Sequence, residues 1–350
     1  MSQMENKKIT FFEAGESEEK CLREELQKSS ELRGFEPEFI NQKLNKSTVR
    51  MAVDSGIVSV FINSTVNKDI IEDLPKTKLL VTRSTGFDHI NLACAAKKGL
   101  KVSNVPAYGS RTVAEYAFAL ILGLSRKTLE ASHRIKEDHS FDVYGLMGFN
   151  LQGKTLGIVG TGRIGQNVAK IARGFDMNVI AYDTFPNNAA ATEIGFKYVS
   201  LDELLAQSDI VTLHVPYCKD THHLINKDNI SKFKRGALLI NTARGEVCDT
   251  EAIIMGVEKK ILGGVGLDVV EGERNLKEES GKLFTRLTDP VLHPEQAKRL
   301  SDYRKLMRMP EVFITPHIAY YTIEAQNEIV KTTIENISAF LRGEEKNIIK

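Results

Sequence analysis

Residues 157–165 read GIVGTGRIG, and the run that leads into them, TLGIVG (155–160), is strand-like. Its glycines stand in the spacing G-x-G-x-x-G, at Gly160, Gly162 and Gly165, and RIGQNVAKIARGF (163–175) continues with a helical pattern. A glycine-rich turn between strand and helix suits a dinucleotide pyrophosphate. Gly162 lets the backbone approach the phosphates, and the amides of Arg163 and Ile164 can face them from the helix start. Glycines alone fit any tight turn. The next strand-like run, NVIAYD (178–183), ends in Asp183, near the offset of about 20 residues where this motif carries its acidic residue. A carboxylate there accepts both ribose hydroxyls of NAD and opposes a 2′-phosphate. NAD is the expected cofactor.

The motif arrives late. Before it lie four strand-like runs, ITFFEA (9–14), VSVFIN (58–63), LLVTR (79–83) and KVSNV (101–105). After it come KYV (197–199), DIVTLHV (209–215), ALLINT (237–242), GVGLDVV (264–270) and VFITP (312–316). Alternation with helical patterns predicts an α/β fold with two parallel sheets of different size. Between the sets, SRTVAEYAFALILGLSRKTLEAS (110–132) carries an apolar stripe, and Thr112 with Glu115 has the spacing of a capping box. This predicts one long helix linking the sheets. TIEAQNEIVKTTIENISAFLRGE (322–344) is also helical in period and either caps the larger sheet or returns to the first. The charged, proline-punctuated stretch 274–311 reads as a surface excursion, helical at PEQAKRLSDYRKLMR (294–308).

Composition narrows the class. A chain of 350 residues favours two domains, and 42% apolar with 27% charged residues is ordinary for a globular protein. A net charge of +1 gives no electrostatic case for nucleic acid or an anionic membrane. The start MSQMENKK lacks the apolar core of a signal peptide, and AFALILGL (117–124) is too short to span a bilayer. Cys21, Cys94, Cys218 and Cys248 form no C-x-x-C pair. These features predict a cytoplasmic protein without metal. His222 and His223 are adjacent, but no third ligand has metal spacing; His89 and His214 read as locally packed, and His133, His139 and His293 as solvated.

In open parallel sheets ligands bind at the carboxyl ends of strands. There the later strands bring Val215 and Pro216, then Thr242, Ala243 and Arg244, then Asp268 with Glu271 and Glu273, and finally His317. Interconverting a 2-oxo and a 2-hydroxy acid with NAD requires a carboxylate clamp and a proton donor. Arginine supplies a bidentate, permanently charged clamp. Histidine exchanges a proton near neutrality, and a glutamate beside it favours the imidazolium that protonates a ketone.

GIVGTGRIG, LHVPY, INTARGE, GLDVVEGE and TPHIAYYT, in this order, resemble the signatures of the D-isomer-specific 2-hydroxyacid dehydrogenases, most closely the NAD-dependent D-lactate dehydrogenases. The resemblance covers nearly the whole chain. It implies a flavodoxin-like substrate domain, residues 1–106 and 318–350, interrupted by a Rossmann NAD-binding domain, residues 107–317, both doubly wound parallel sheets. The C-terminal helix then completes the first sheet, and the active site lies in a cleft that closes on substrate. The resemblance further implies a catalytic set of Arg244, Glu273 and His317, with Glu273 rather than Glu271 at the catalytic position. It puts Thr85 and Gly86 of RSTGFDHI on the substrate carboxylate and Tyr108 on the substrate. Asp268 is expected near the nicotinamide carboxamide, and Val215, Pro216, Thr242 and Ala243 along the cofactor cleft.

A homodimer through the cofactor domain is also implied. The expected reaction is pyruvate to D-lactate. A D-2-hydroxyisocaproate-type or aromatic 2-oxoacid reductase keeps the chemistry with a wider pocket, and a non-catalytic NAD(H)-sensing corepressor shares the fold. A formate dehydrogenase pairs its histidine with glutamine, where this chain has Glu273. The segment between Glu273 and His317 is longer than in compact family members.

Overall fold

The computed structural model describes residues 6–273 and 294–349. The chain forms two compact units, Met1–Tyr108 with Tyr321–Lys350, and Gly109–Tyr320. The division thus falls after Tyr108 and Tyr320 rather than after residues 106 and 317.

The first unit is built on strands β1 (Lys8–Phe12), β2 (Glu36–Ile40), β3 (Ile57–Val60), β4 (Leu79–Thr82) and β5 (Lys101–Ser103). They form one parallel sheet in the order β2-β1-β3-β4-β5, the flavodoxin-like doubly wound order. β2 is absent from the sequence reading, because EPEFI mixes two glutamates with Pro37. Its edge position accounts for that composition: an edge strand tolerates a proline that would cost a central strand a hydrogen bond. β3 and β4 are buried at every position, as strands covered on both faces require.

The helix Ile323–Arg342 returns to this unit, one of the two placements the sequence left open. Thr322 caps it by accepting from Ala325 N, and Gly343 at φ +82° ends it. Its Val330, Ile334 and Ile337 pack with Ile9, Phe11, Leu22 and Leu79. Each such side chain fully buried contributes about 1.5–3 kcal/mol, so the last helix is part of the first core.

The second unit has seven parallel strands: β6 (Thr155–Val159), β7 (Asn178–Tyr182), β8 (Lys197–Tyr198), β9 (Ile210–Leu213), β10 (Ala237–Asn241), β11 (Leu262–Leu267) and β12 (Val312–Ile314). Their order is β12-β11-β10-β9-β6-β7-β8. The chain winds outward from β6 in one direction and from β9 in the other, so the switch point lies between those two strands. That is where a doubly wound sheet opens a ligand crevice.

The expected single helix over 110–132 is two, Ser110–Ser125 and Thr128–Glu137, separated at Lys127, whose φ is +49°. The first packs its stripe, Val113 through Ile121, inside the unit; the second buries no residue. Beyond Leu124 the sequence offers no further stripe to hold the two in line. The capping box does not form either. The helix begins at Ser110 with Gly109 as an N-cap lacking a side-chain bond, which leaves Thr112 inside the first turn and Glu115 paired with Arg111 at 2.6 Å. Pro294–Arg308 is helical, while residues 274–293 of the charged excursion lie outside the described residues. Among the described residues no helix is long and apolar enough to cross a membrane.

Candidate active site

The glycine loop follows β6, and each glycine answers a separate steric demand. Gly160 adopts φ +93°, and a Cβ there would lie 2.7 Å from His214 O. Gly165 lets the helix Arg163–Gly174 settle on the strand, since a Cβ would overlap Gly160 O. Around Gly162 the space is open. It is the N-cap of that helix and offers no side-chain cap, so the first-turn N–H groups, which lack intrahelical acceptors, are left for an outside acceptor. Asp183 follows β7. Its Oδ2 accepts from Thr161 N at 2.6 Å and Thr161 Oγ1 at 2.9 Å, and its Oδ1 from Phe185 N at 2.9 Å. The carboxylate is therefore oriented by the loop itself, and Tyr198 OH, 2.8 Å from Thr161 Oγ1, extends the support.

On the other side of the switch point, Val215 and Pro216 follow β9, with Val215 half-buried and Pro216 exposed. Thr242 and Ala243 follow β10, and Thr242 Oγ1 is buried without a hydrogen-bond partner among the described residues. A buried hydroxyl left over in this way, beside an uncapped helix start and an oriented carboxylate, fits a bound dinucleotide. Asn241, which the sequence reading passed over, shapes this turn. Its Oδ1 accepts from Ala243 N at 3.0 Å and its Nδ2 donates to Arg244 O at 2.8 Å. The half-buried Arg244 guanidinium donates through Nη1 to Ala243 O at 2.7 Å.

β11 and β12 bring the acid/base candidates together. Asp268, 1% exposed, accepts from Thr315 Oγ1 at 2.6 Å, Ile318 N at 2.9 Å and Ala319 N at 2.8 Å. Burial pushes its carboxyl pKa up, against the pull of those bonds and of nearby His317. This carboxylate holds the turn that carries His317, a role the sequence did not suggest. His317 occupies the left-handed region at φ +57°, and its N–H donates to Asp268 O at 2.9 Å. A histidine there is uncommon and is kept only by surroundings that over-determine it. Its Nδ1 lies 2.6 Å from Glu273 Oε1, both side chains being mostly buried, so the ring orientation is fixed. Tyr320 stands edge-on to the imidazole, with centroids 6.1 Å apart.

In the first unit, Thr85 and Gly86 lie just beyond β4. Thr85 is exposed, with Oγ1 donating to Val105 O at 2.9 Å, and Gly86 O accepts from Ser84 Oγ at 2.6 Å. Tyr108 is half-buried at the end of this unit's first segment. Arg83, wholly buried, braces the loop's start through Glu18 at 2.7 Å and Phe12 O at 2.8 Å. His89 approaches Thr82 Oγ1 at 3.1 Å. His214 approaches Thr212 Oγ1 at 2.9 Å, and burial of its imidazole brings the pKa down to about 3, so it stays neutral at working pH. His222 and His223 stack with centroids 3.9 Å apart. Among the described residues no cluster of three His, Cys, Asp or Glu side chains has the geometry to hold a metal.

A doubly wound parallel sheet with a dinucleotide loop on one side of its switch point, and an arginine and a glutamate-paired histidine on the other, defines an NAD-dependent dehydrogenase. Residues 118–319 match the description "D-isomer specific 2-hydroxyacid dehydrogenase, NAD binding domain", and the chain belongs to that family. It is 37% identical over 336 residues to 2-hydroxyacid dehydrogenase homolog 1 of Schizosaccharomyces pombe, covering 95% of this chain and 96% of that one. To D-lactate dehydrogenase of Escherichia coli it is 36% identical over 321 residues, 91% of this chain and 93% of the other. The structure of D-lactate dehydrogenase from Aquifex aeolicus complexed with NAD and lactic acid aligns with a TM-score of 0.82 at 34% identity, covering 96% of each chain.

Proposed function

We propose that this chain reduces pyruvate to D-lactate, with His317 as acid/base, Arg244 as substrate clamp and Glu273 orienting the histidine. The carrying observation is the 2.6 Å contact of His317 Nδ1 with Glu273. With Nδ1–H committed to the carboxylate, Nε2 is the nitrogen left to protonate the carbonyl oxygen. Arg244 holds the substrate carboxylate and stabilises the negative charge growing on that oxygen. The loop of Gly160, Gly162, Arg163, Ile164 and Gly165 would hold NADH, with Asp183 on its ribose, and the bound nicotinamide would supply a hydride to C2. Val215, Pro216, Thr242, Ala243 and Asp268 complete the cofactor's surroundings. Thr85, Gly86 and Tyr108 are the substrate contacts we assign to the first unit.

Following NADH absorbance with pyruvate, 2-oxoisocaproate, phenylpyruvate and glyoxylate tests this. The highest kcat/KM is expected with pyruvate. A larger 2-oxo acid ahead of pyruvate replaces the substrate, and no turnover with any of them leaves the NAD(H)-sensing reading.

We infer that the protein acts as a homodimer in the cytoplasm. Phe141, Val143, Tyr144 and Met147 are each more than three-quarters exposed within one short stretch of the second unit, and a clustered apolar run of this kind suits a buried interface. Free thiols, with Cys218 exposed, suit a reducing compartment. Light scattering should give a dimer, and Phe141→Asp with Met147→Asp a monomer; an unchanged mass in that variant rules this surface out.

A further inference from the structure

The acid/base pairing leaves one carboxylate over. Glu273 N donates to Val270 O at 3.1 Å and Gly272 sits at φ +76°, so residues 270–273 make a tight turn with glycine at its third position. The two glutamates of this turn serve different histidines. Glu273 hydrogen-bonds His317, whereas Glu271 Oε2 lies 3.4 Å from the buried His223 Nε2, within ion-pair distance but with no hydrogen bond between them, and Arg299 is 3.9 Å from its other oxygen.

His223 is itself held in an unusual conformation, at φ +49°. Its N–H donates to Glu246 O at 2.9 Å, and its carbonyl accepts from Asn226 Nδ2 at 3.0 Å. The residue therefore joins the backbone just past Arg244 to the side chain just before Glu273. The two segments also touch directly, for a Cβ on Gly245 would overlap the Val270 carbonyl. The adjoining groove, about 250 Å³, is lined by Asp249, Glu251, Lys298, Arg299 and Asp302. Lys298 is paired with Glu251, so the cation shared with Glu271 is Arg299.

We propose that His223 and Glu271 form a positioning pair, fixing where the turn puts Glu273 relative to His317 and Arg244 without touching substrate or cofactor. The pair rests on the acid/base assignment above, and its test keeps the two apart.

His223→Leu should cut kcat about 10-fold, less than the 10²-fold that a 1 Å misplacement can cost. It should also move the fall-off of reduction to lower pH, in the same direction as Glu273→Gln, with NADH affinity unchanged. His223→Gln, which keeps a polar side chain beside Glu271, should restore most of both. If His223→Leu does not fold, Glu271→Ala makes the same cut from the other side. If Glu273→Gln leaves the profile unmoved, the acid/base assignment falls. If Glu273→Gln shifts it while His223→Leu and Glu271→Ala track the wild type, the positioning pair alone is overturned. Additive losses when His223→Leu and Glu271→Ala are combined overturn it as well.

Discussion

Two regions of the second unit do comparable work and are built in opposite ways. The cofactor side is a local cassette: β6, the glycine loop, one helix and β7, ending at Asp183, with Thr161 tying the two ends through the Asp183 carboxylate. The acid/base side is assembled from the ends of β10, β11 and β12, and its parts meet only because those strands lie side by side. A cassette is specified by neighbours in sequence, and its failures stay local. An assembled edge depends on long-range packing, so its supports Asp268 and His223 stand far in sequence from what they support.

The comparison predicts that the two sides break separately. The largest effect is expected at the assembled edge. His317→Gln should lower kcat by roughly 10²–10⁴-fold, the usual contribution of general acid catalysis, while NADH binding followed by fluorescence stays constant. A matching loss of NADH affinity would mean the sides are not independent.

Gly165→Ala attacks the cassette. Its Cβ overlaps Gly160 O, and overpacking of this kind costs about 1–3 kcal/mol. Thermal unfolding and NADH titration should both register it, with the substrate KM little changed at saturating NADH. A variant as stable as wild type would show that the helix is free to shift away from the strand.

Asp183→Ser removes the carboxylate that opposes a 2′-phosphate. Preference for NADH over NADPH, measured as a ratio of kcat/KM values, should narrow chiefly through NADPH. Equal use of both cofactors by the wild type contradicts the assignment of Asp183.

The smallest effect is expected at His214, between the two sides. With its pKa near 3 in the fold against about 6.5 in an unfolded chain, the unfolded state takes up the extra proton. The resulting stability is therefore full above about pH 6.5 and is lost as pH falls toward 3. His214→Asn should lose less stability over that window and leave the kinetic pH profile above pH 5 unmoved. A shifted profile would bring His214 into the chemistry.

The inner strands of the second unit were legible because buried parallel strands are short, nearly continuous apolar runs bounded by turn residues, and its edge strands β8 and β12 because KYV and VFITP are rich in β-branched and aromatic residues. β2 was not, since its edge position tolerates the two glutamates and the proline of EPEFI. The helix over 110–132 was misread as continuous because a stripe predicts where a helix packs, not where it bends; Lys127 breaks it where the packing ends.

The sequence by itself determined the cofactor loop, its acidic residue and the identity of the side chains that end each strand, because these follow from local spacing and alternation. The resemblance named Glu273, not Glu271, for the catalytic position, and only the tertiary structure shows the contacts that separate the two and gives Glu271 to His223. Glu271 and Glu273 are two residues apart in one turn, and both are chemically fit to pair with an imidazole. The turn geometry at Gly272 and the positions of β12 and His223 put Glu273 at 2.6 Å from His317 and leave Glu271 to His223. The chemistry of the two carboxylates does not encode that difference, because it is made by strands and loops that are distant in the chain and adjacent only in the folded protein.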